Sequence, residues 1–426
     1  MSDILSIEYE KYLLDNGLEV ILYPERSLPL ISVNLWYRVG SANETEGKTG
    51  FAHLFEHMMF QGSKHVPKQM HFKYIQEAGG QLNGSTSLDR TNYYQSLPSN
   101  YLELALWLES DRMGFLIPAL NQEKLDNQID VVKNERRQRY DNAPYGLAWE
   151  KIFSNLYPKA HPYHWPTIGW MEDISNINLS DVKNFFHTYY IPNNATLVIG
   201  GDINKNRAKD LVERYFGNIA RGNEFQQVKA EAPELKENLM LLHEDNVSLS
   251  RIYLVWHSSE AYKEGDAEMD ILSYILAGSK NSRLYKKLVF ESELAQDITA
   301  FEHSSRLSGD FIIIATAKPG ISLDKLKKEI IDEINLIFEN GLKEEELMKA
   351  KNNIRASFIY SMQNINSLTN RINEYNFYLN EPDSFSFDLK RYQQVDLERL
   401  YKKSLEYLSK PFLELRITPL KKSEGI

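Results

Sequence analysis

No cysteine occurs among the 426 residues. Disulfides, thiolate metal ligands and cysteine nucleophiles are therefore excluded, and any metal is left to histidine and carboxylate. Long apolar runs are missing too. No stretch of about 18 apolar residues exists, so no membrane insertion is expected. The acidic opening Met1-Ser2-Asp3-Ile4-Leu5-Ser6-Ile7-Glu8-Tyr9-Glu10 lacks the basic start of a signal peptide. The expected location is cytoplasmic, or periplasmic if an export signal has been removed. Excess positive charge is the third absence. A formal charge of −10 argues against nucleic acid as a partner. The run Arg136-Arg137-Gln138-Arg139 reads as a solvated helix face or as support for a ligand.

What is present suits a soluble globular protein: 42% hydrophobic and 25% charged residues. The length exceeds a usual single core, so two domains of roughly 200 residues are expected.

The informative stretch is His53-Leu54-Phe55-Glu56-His57. Thr49 offers a helix N-cap and Gly62 a stop, so Phe51 to about Met59 reads as a short helix. Residues at i and i+4 lie one turn apart on one face, which lets His53 and His57 share a small cation, with Glu56 beside them. Zinc suits two imidazoles, a carboxylate and one position left for water. Glu56 would be the base that takes the water's proton. A lone HxxxH pair on a Phe/Leu/Met-rich helix would read as hydrogen-bonded core histidines; the intervening glutamate and a distant one described next favour metal. The order HxxEH inverts the HExxH zinc-peptidase motif.

Gln122 to Tyr140 reads as a helix with the apolar stripe Leu125, Ile129, Val132, and Val131 alongside. Glu135 falls on that buried side, where a carboxylate needs a cation: zinc, or an arginine. His161-Pro162-Tyr163-His164-Trp165-Pro166 holds two more histidines, but its prolines and aromatics read as a packed loop.

With Arg38-Val39-Gly40-Ser41-Ala42-Asn43-Glu44 ahead of it, the HxxEH stretch resembles the pitrilysin and mitochondrial-processing-peptidase family of zinc peptidases, in its short two-domain form. Val131-Val132-Lys133-Asn134-Glu135-Arg136-Arg137-Gln138 resembles that family's third-ligand helix, with 77 residues between His57 and Glu135. The resemblance implies one Zn²⁺ per chain held by His53, His57 and Glu135. A further family glutamate is replaced here by Gln128, which leaves Gln128 a supporting role behind the ligands. Gly79-Gly80-Gln81-Leu82-Asn83-Gly84-Ser85-Thr86 resembles the family's substrate strand, implying that Asn83, Gly84, Ser85 and Thr86 bind an extended peptide by backbone pairing. By local rules alone, Asn83-Gly84 is equally a tight turn.

Beyond a polar stretch with Gly222 and Pro233, the order of strands and helices begins again without HxxEH. The expectation is an α+β fold of two homologous α/β sandwiches, each a mostly antiparallel sheet with helices on one face: a catalytic domain 1–220, a linker 221–235, and a non-catalytic domain 236–426. Strand Leu239 to Trp256 and a helix from Glu344 to Tyr378 belong to the second. In that half the family resemblance implies an arginine and a tyrosine that bind substrate; Val289 and Gln296 occupy those places. The implied particle encloses peptides in a chamber, as a heterodimer with a metal-free homologue supplying the pair, or as a homodimer. A zinc-containing peptide-binding or assembly subunit without turnover, and a processing peptidase for one precursor, stay open as alternatives.

Overall fold

Gly17 takes the left-handed conformation, φ +87°, that the first hairpin turn requires. It joins β1 (Glu10–Leu13) to β2 (Glu19–Pro24) in antiparallel pairing. The computed structural model describes residues 5–224 and 226–420. The remaining strands are β3 (Leu30–Tyr37), β4 (Gln81–Thr86), β5 (Thr91–Pro98), β6 (Ala195–Gly201), β7 (Leu239–Asp245), β8 (Arg251–Ser258), β9 (Ala295–Ser304), β10 (Gly309–Ala317) and β11 (Leu413–Pro419).

The chain forms two compact units, each assembled from three segments. One contains Met1–Arg136, Trp165–Val228 and Ile359–Ser386; the other contains Arg137–His164, Lys229–Phe358 and Phe387–Ile426. They differ from a division at 1–220 and 236–426 by two exchanged segments, 137–164 and 359–386. Between the halves, residues 221–224 and 226–235 take no helix or strand.

The first unit holds a six-stranded sheet in the order β1-β2-β6-β3-β5-β4, and the second a five-stranded sheet in the order β7-β11-β8-β10-β9. In each, one parallel pair (β2 with β6, β7 with β11) is followed by antiparallel neighbours. Read from that pair, the two orders coincide, β1 being an addition. The fold is α+β, with two sheets of matching topology.

Alternation along β3 explains how the first sheet is covered. Ile31, Val33, Leu35 and Tyr37 are buried on the face that packs against helices of the N-terminal stretch, with Tyr37 against Tyr190 at 4.5 Å between ring centres. Ser32 and Asn34 point the other way, which in sequence reads as a solvent face. That face is instead covered by the helix Ile365–Leu379: Ser32 Oγ lies 2.8 Å from Thr369 Oγ1, and Asn373 Nδ2 donates to the Asn34 carbonyl at 2.9 Å. The helix Ala148–Leu156 does the same for the second unit, where Trp149 packs edge-on against Tyr253 and Phe301. The core of that unit lies on the other face of its sheet, where Leu254, Trp256, Phe311 and Ile313 meet Ile271, Leu272 and Ile334.

Two local expectations change, and one of two open readings holds. Leu239 to Trp256 is two strands, β7 and β8, separated by residues 246–250. The helix expected from Glu344 to Tyr378 is broken: one helix ends at Ser361, and Asn364 caps the next by accepting the Asn366 amide at 2.8 Å. Asn83-Gly84 lies inside β4, and the turn to β5 is made by Ser87 and Arg90, joined at 2.9 Å.

Candidate metal centre

In the helix Phe51–Met58, the buried residues Phe51, Leu54, Phe55 and Met58 recur at i, i+3, i+4 and i+7. That spacing turns His53, Glu56 and His57 to the opposite face. The two imidazoles meet edge to face, 4.8 Å between centres.

The start of this helix corrects the expectation for Thr49. Its N-cap is Gly50 at φ +77°, where an added Cβ would stand 2.4 Å from the Ile168 carbonyl, so glycine is required. Thr49 donates instead to Asp173 at 2.7 Å. The free amides are taken by the buried carboxylate of Glu44, which accepts from Gly50 at 3.0 Å and Ala52 at 2.7 Å. A negative group suits a helix N-terminus. Ala52 lies eight positions after Glu44, outside any local capping pattern, so sequence spacing gives no signal for it.

The helix Gln122–Arg136 presents Glu135. Its buried stripe is Leu125, Gln128, Val132 and Arg136, narrower than the sequence suggested, since Val131 is exposed. Glu135 stands at the rim of that stripe, its side chain 18% accessible. Two residues after Glu135 the backbone widens into a π-helical turn, Arg137–Asp141; such turns are frequent beside functional sites. Arg136 departs from the solvated reading: it is buried, and its guanidinium donates to the Gly169 carbonyl at 2.8 Å. Gln128 is buried and donates to the side chain of its neighbour Asn127 at 3.0 Å.

These two helices bring His53, His57 and Glu135 together. Glu135 Oε2 lies 3.3 Å from His57 Nε2 and 3.9 Å from His53 Nε2, and the three donor atoms fall within 4.8 Å of one another. Among the described residues, no other group of three or more His, Asp or Glu donors comes this close. Zinc bonds of about 2.0–2.1 Å at tetrahedral angles separate ligand atoms by about 3.3 Å. Two imidazoles and a carboxylate at these separations fit that ion with only small rearrangement. His161 and His164 are committed elsewhere: His161 Nδ1 accepts the Tyr163 amide at 3.1 Å, and His164 Nδ1 lies 2.8 Å from the Tyr157 carbonyl.

β4 borders this cluster as the outermost strand of its sheet. Its residues alternate between two sides. Thr86 donates to Glu56 Oε2 at 2.6 Å. A methyl at Gly84 would stand 3.1 Å from Glu56 Oε1, so glycine leaves the carboxylate room. Ser85 turns the opposite way and donates to Asn92 at 2.7 Å, while Asn83 is exposed and accepts its neighbour's amide at 2.9 Å. Arg90 braces the strand from behind, donating to the Ser85 carbonyl at 2.8 Å with its guanidinium 5.1 Å from the Trp36 ring centre. Burial pushes the Glu56 carboxyl above its ordinary range, against the Thr86 hydrogen bond and the positive fields of His57 and Arg90. The contact between Thr86 and Glu56 spans 30 positions and two elements, which is why sequence reading assigned Thr86 to peptide binding alone.

In the second half, Val289 lies in a π-helical turn, Lys286–Glu291, and Gln296 is exposed on β9. Arg283 is held by Glu346 through two hydrogen bonds of 2.7 Å. Among the described residues, no helix is long and apolar enough to cross a membrane.

Residues 20–162 match the family described as Insulinase (Peptidase family M16), and residues 176–354 match the Peptidase M16 inactive domain. The inactive-domain match covers a stretch without HxxEH. The chain is 32% identical over 378 residues to the zinc protease PqqE of Helicobacter pylori, covering 86% of this chain and 83% of that protein. It is 24% identical over 392 residues to YmxG of Bacillus subtilis, an uncharacterized zinc protease, covering 92% and 93%. A crystal structure of a protease from Helicobacter pylori matches with a TM-score of 0.91 and 28% identity, over 97% of this chain and 100% of that one. The chain belongs to peptidase family M16.

Proposed function

We propose that the protein is a zinc-dependent endopeptidase subunit that hydrolyses unstructured peptides. The observation that carries this reading is the convergence of His53, His57 and Glu135 beside a fourth group, Glu56, that is not needed to hold an ion. His53, His57 and Glu135 would hold one Zn²⁺, whose chemistry is that of a Lewis acid, making water acidic near neutral pH and polarising a carbonyl. Glu56 accepts a proton from the attacking water and returns it to the leaving amine. Thr86 steadies the Glu56 carboxylate through its hydroxyl. The outer edge of β4 binds the peptide main chain, so that pairing fixes the scissile bond beside Glu56 with little demand on side chains. Asn83, on the exposed side of that edge, contributes an amide to the peptide.

Substitution of Glu56 separates a catalytic from a structural ion. In the Glu56→Gln protein, zinc stays at one per chain while cleavage of an unstructured fluorogenic peptide falls by about 10²-fold or more, the usual contribution of a positioned acid–base group. Equal cleavage by both proteins overturns the reading. Zinc lost together with activity would assign Glu56 to the ligand set instead.

The active particle is a pair of such subunits around a chamber. Val289 and Gln296, where family members of this type carry arginine and tyrosine, favour a heterodimer with a metal-free homologue that supplies both.

A further inference from the structure

We propose that Asn83-Gly84 is a self-modifying site: the Asn83 side chain deamidates through its own main chain, and the product strand no longer pairs with a peptide. The chemistry belongs to this strand alone, while its consequence rests on the peptidase reading, in which a peptide main chain adds to the edge of β4.

Asparagine followed by glycine is the pair most open to this reaction, because glycine has no side chain to shield the nitrogen that attacks. The sequence has three such pairs, Asn16-Gly17, Asn83-Gly84 and Asn340-Gly341. The structure separates them. Asn16 is buried, its amide donates to the Phe216 and Ile219 carbonyls at 2.8 and 2.9 Å, and the Gly17 nitrogen donates to the Leu14 carbonyl at 2.8 Å. Asn340 is exposed, yet the Gly341 nitrogen closes the end of its helix on the Ile337 carbonyl at 2.8 Å. Both nitrogens are committed.

The Gly84 nitrogen is not held by the sheet. Ser87 donates to the Arg90 carbonyl across the turn at 2.9 Å, which makes these two a hydrogen-bonded pair. Such pairs alternate along an antiparallel ladder, so Ser85 is bonded to Asn92 and Asn83 to Tyr94, while Gly84 and Tyr93 are opposite without bonds. The N–H and C=O of Gly84 therefore point to the open edge of this outermost strand. There the nitrogen meets Asn83 Oδ1 at 2.9 Å, on a side chain exposed to solvent. The carbonyl to be attacked thus lies against the nitrogen that attacks it, with water at hand.

The step needs only water. Hydroxide takes the Gly84 N–H proton, the nitrogen attacks Asn83 Cγ, the Cγ–Nδ2 bond breaks, and ammonia leaves with a proton from water. Water then opens the succinimide ring at either carbonyl carbon, leaving aspartate or isoaspartate. The first product replaces the amide offered to the peptide by a carboxylate. In the second, the main chain runs through the former side chain and gains a carbon, which displaces the Gly84 N–H and C=O from the pairing register. A peptide seated on the edge accepts the Gly84 N–H and blocks the first step.

The test ages the whole zinc-loaded chain in mildly alkaline buffer and follows all three pairs by mass spectrometry, with isoaspartate detected by enzymatic methylation. Asn83 should convert faster than Asn16 and Asn340 by about fivefold or more, since the others must first lose a main-chain hydrogen bond. Gly84→Ala should slow conversion at Asn83 and leave the other two unchanged. Saturating the Glu56→Gln protein with an unstructured peptide should protect Asn83 alone. Peptide binding to the aged Glu56→Gln protein, read by fluorescence anisotropy, should fall in step with the converted fraction. Conversion of Asn83 no faster than that of Asn340, or conversion that leaves binding intact, overturns the proposal. Conversion with loss of binding, but no hydrolysis by the unaltered chain before ageing, supports the proposal and overturns the peptidase reading. Glu56-dependent hydrolysis by a chain whose Asn83 stays intact on ageing does the reverse.

Discussion

Thr86 is the residue through which the edge strand touches the histidine helix, by its 2.6 Å hydrogen bond to Glu56. A hydroxyl donating to a carboxylate is a strong, directional contact, and in a half-buried place its loss frees the acceptor to rotate. Thr86→Val keeps the shape and removes the donor. It is expected to lower kcat about tenfold with KM little changed and zinc retained, and Thr86→Ser to restore most of the rate. A matching loss in the serine variant, or an effect confined to KM, would mean that Thr86 serves packing or peptide binding alone. Local sequence made the three candidate ligands and Glu56 readable, because helical spacing alone puts His53, Glu56 and His57 on one face. It gave no access to the contacts of Thr86 or Glu44, whose partners lie outside any local pattern.

Among elements, the helix Ile365–Leu379 shows how a polar sheet face can be buried. Ser32, Asn34, Thr196, Thr369, Asn373 and Asn376 are all buried around it, and Asn376 also donates to Glu19. Hydrogen bonds offset the desolvation that would otherwise forbid such a contact. Alternating polar residues on β3 therefore imply water to a reader of sequence, although the structure supplies a polar helix. The helix Asp266–Ala277 carries the opposite case, a partly buried acid with an incomplete compensation. Burial pushes the Asp270 carboxyl up to about 6, even though Tyr392 donates to it at 3.0 Å. Because the folded value lies above the unfolded one, Asp270 stabilises the fold in acid and loses that contribution as pH rises through about 6. Asp270→Asn imitates the protonated form. Urea unfolding should show a gain over the parent protein that grows by about 2 kcal/mol between about pH 4 and pH 8. A gain independent of pH would assign the effect to packing.

At the scale of the whole molecule, the two units share one sheet topology while the cluster of His53, His57 and Glu135 belongs to the first. Purified alone, the chain is expected to bind one zinc and to cleave peptides slowly. Adding a homologous chain that carries arginine and tyrosine at the positions matching Val289 and Gln296 should raise kcat/KM at least tenfold, with a heterodimer by light scattering. Full activity of the isolated chain removes the heterodimer and leaves a homodimer in which Asn83 or main-chain amides stabilise the transition state.

By itself, the sequence determined the class of fold, the repeat of strand and helix order in the two halves, and the chemistry of the candidate site. Each follows from local periodicity: 3.6 residues per turn gathers the histidines on one face, and a period of two marks strands. Tertiary structure decided what periodicity cannot express. It placed residues 359–386 with the first unit and 137–164 with the second, drew β4 out as an edge, and set Thr86 on Glu56. These depend on contacts between residues far apart in the chain, where side chains select their partners by shape and hydrogen bonding after the local elements have formed.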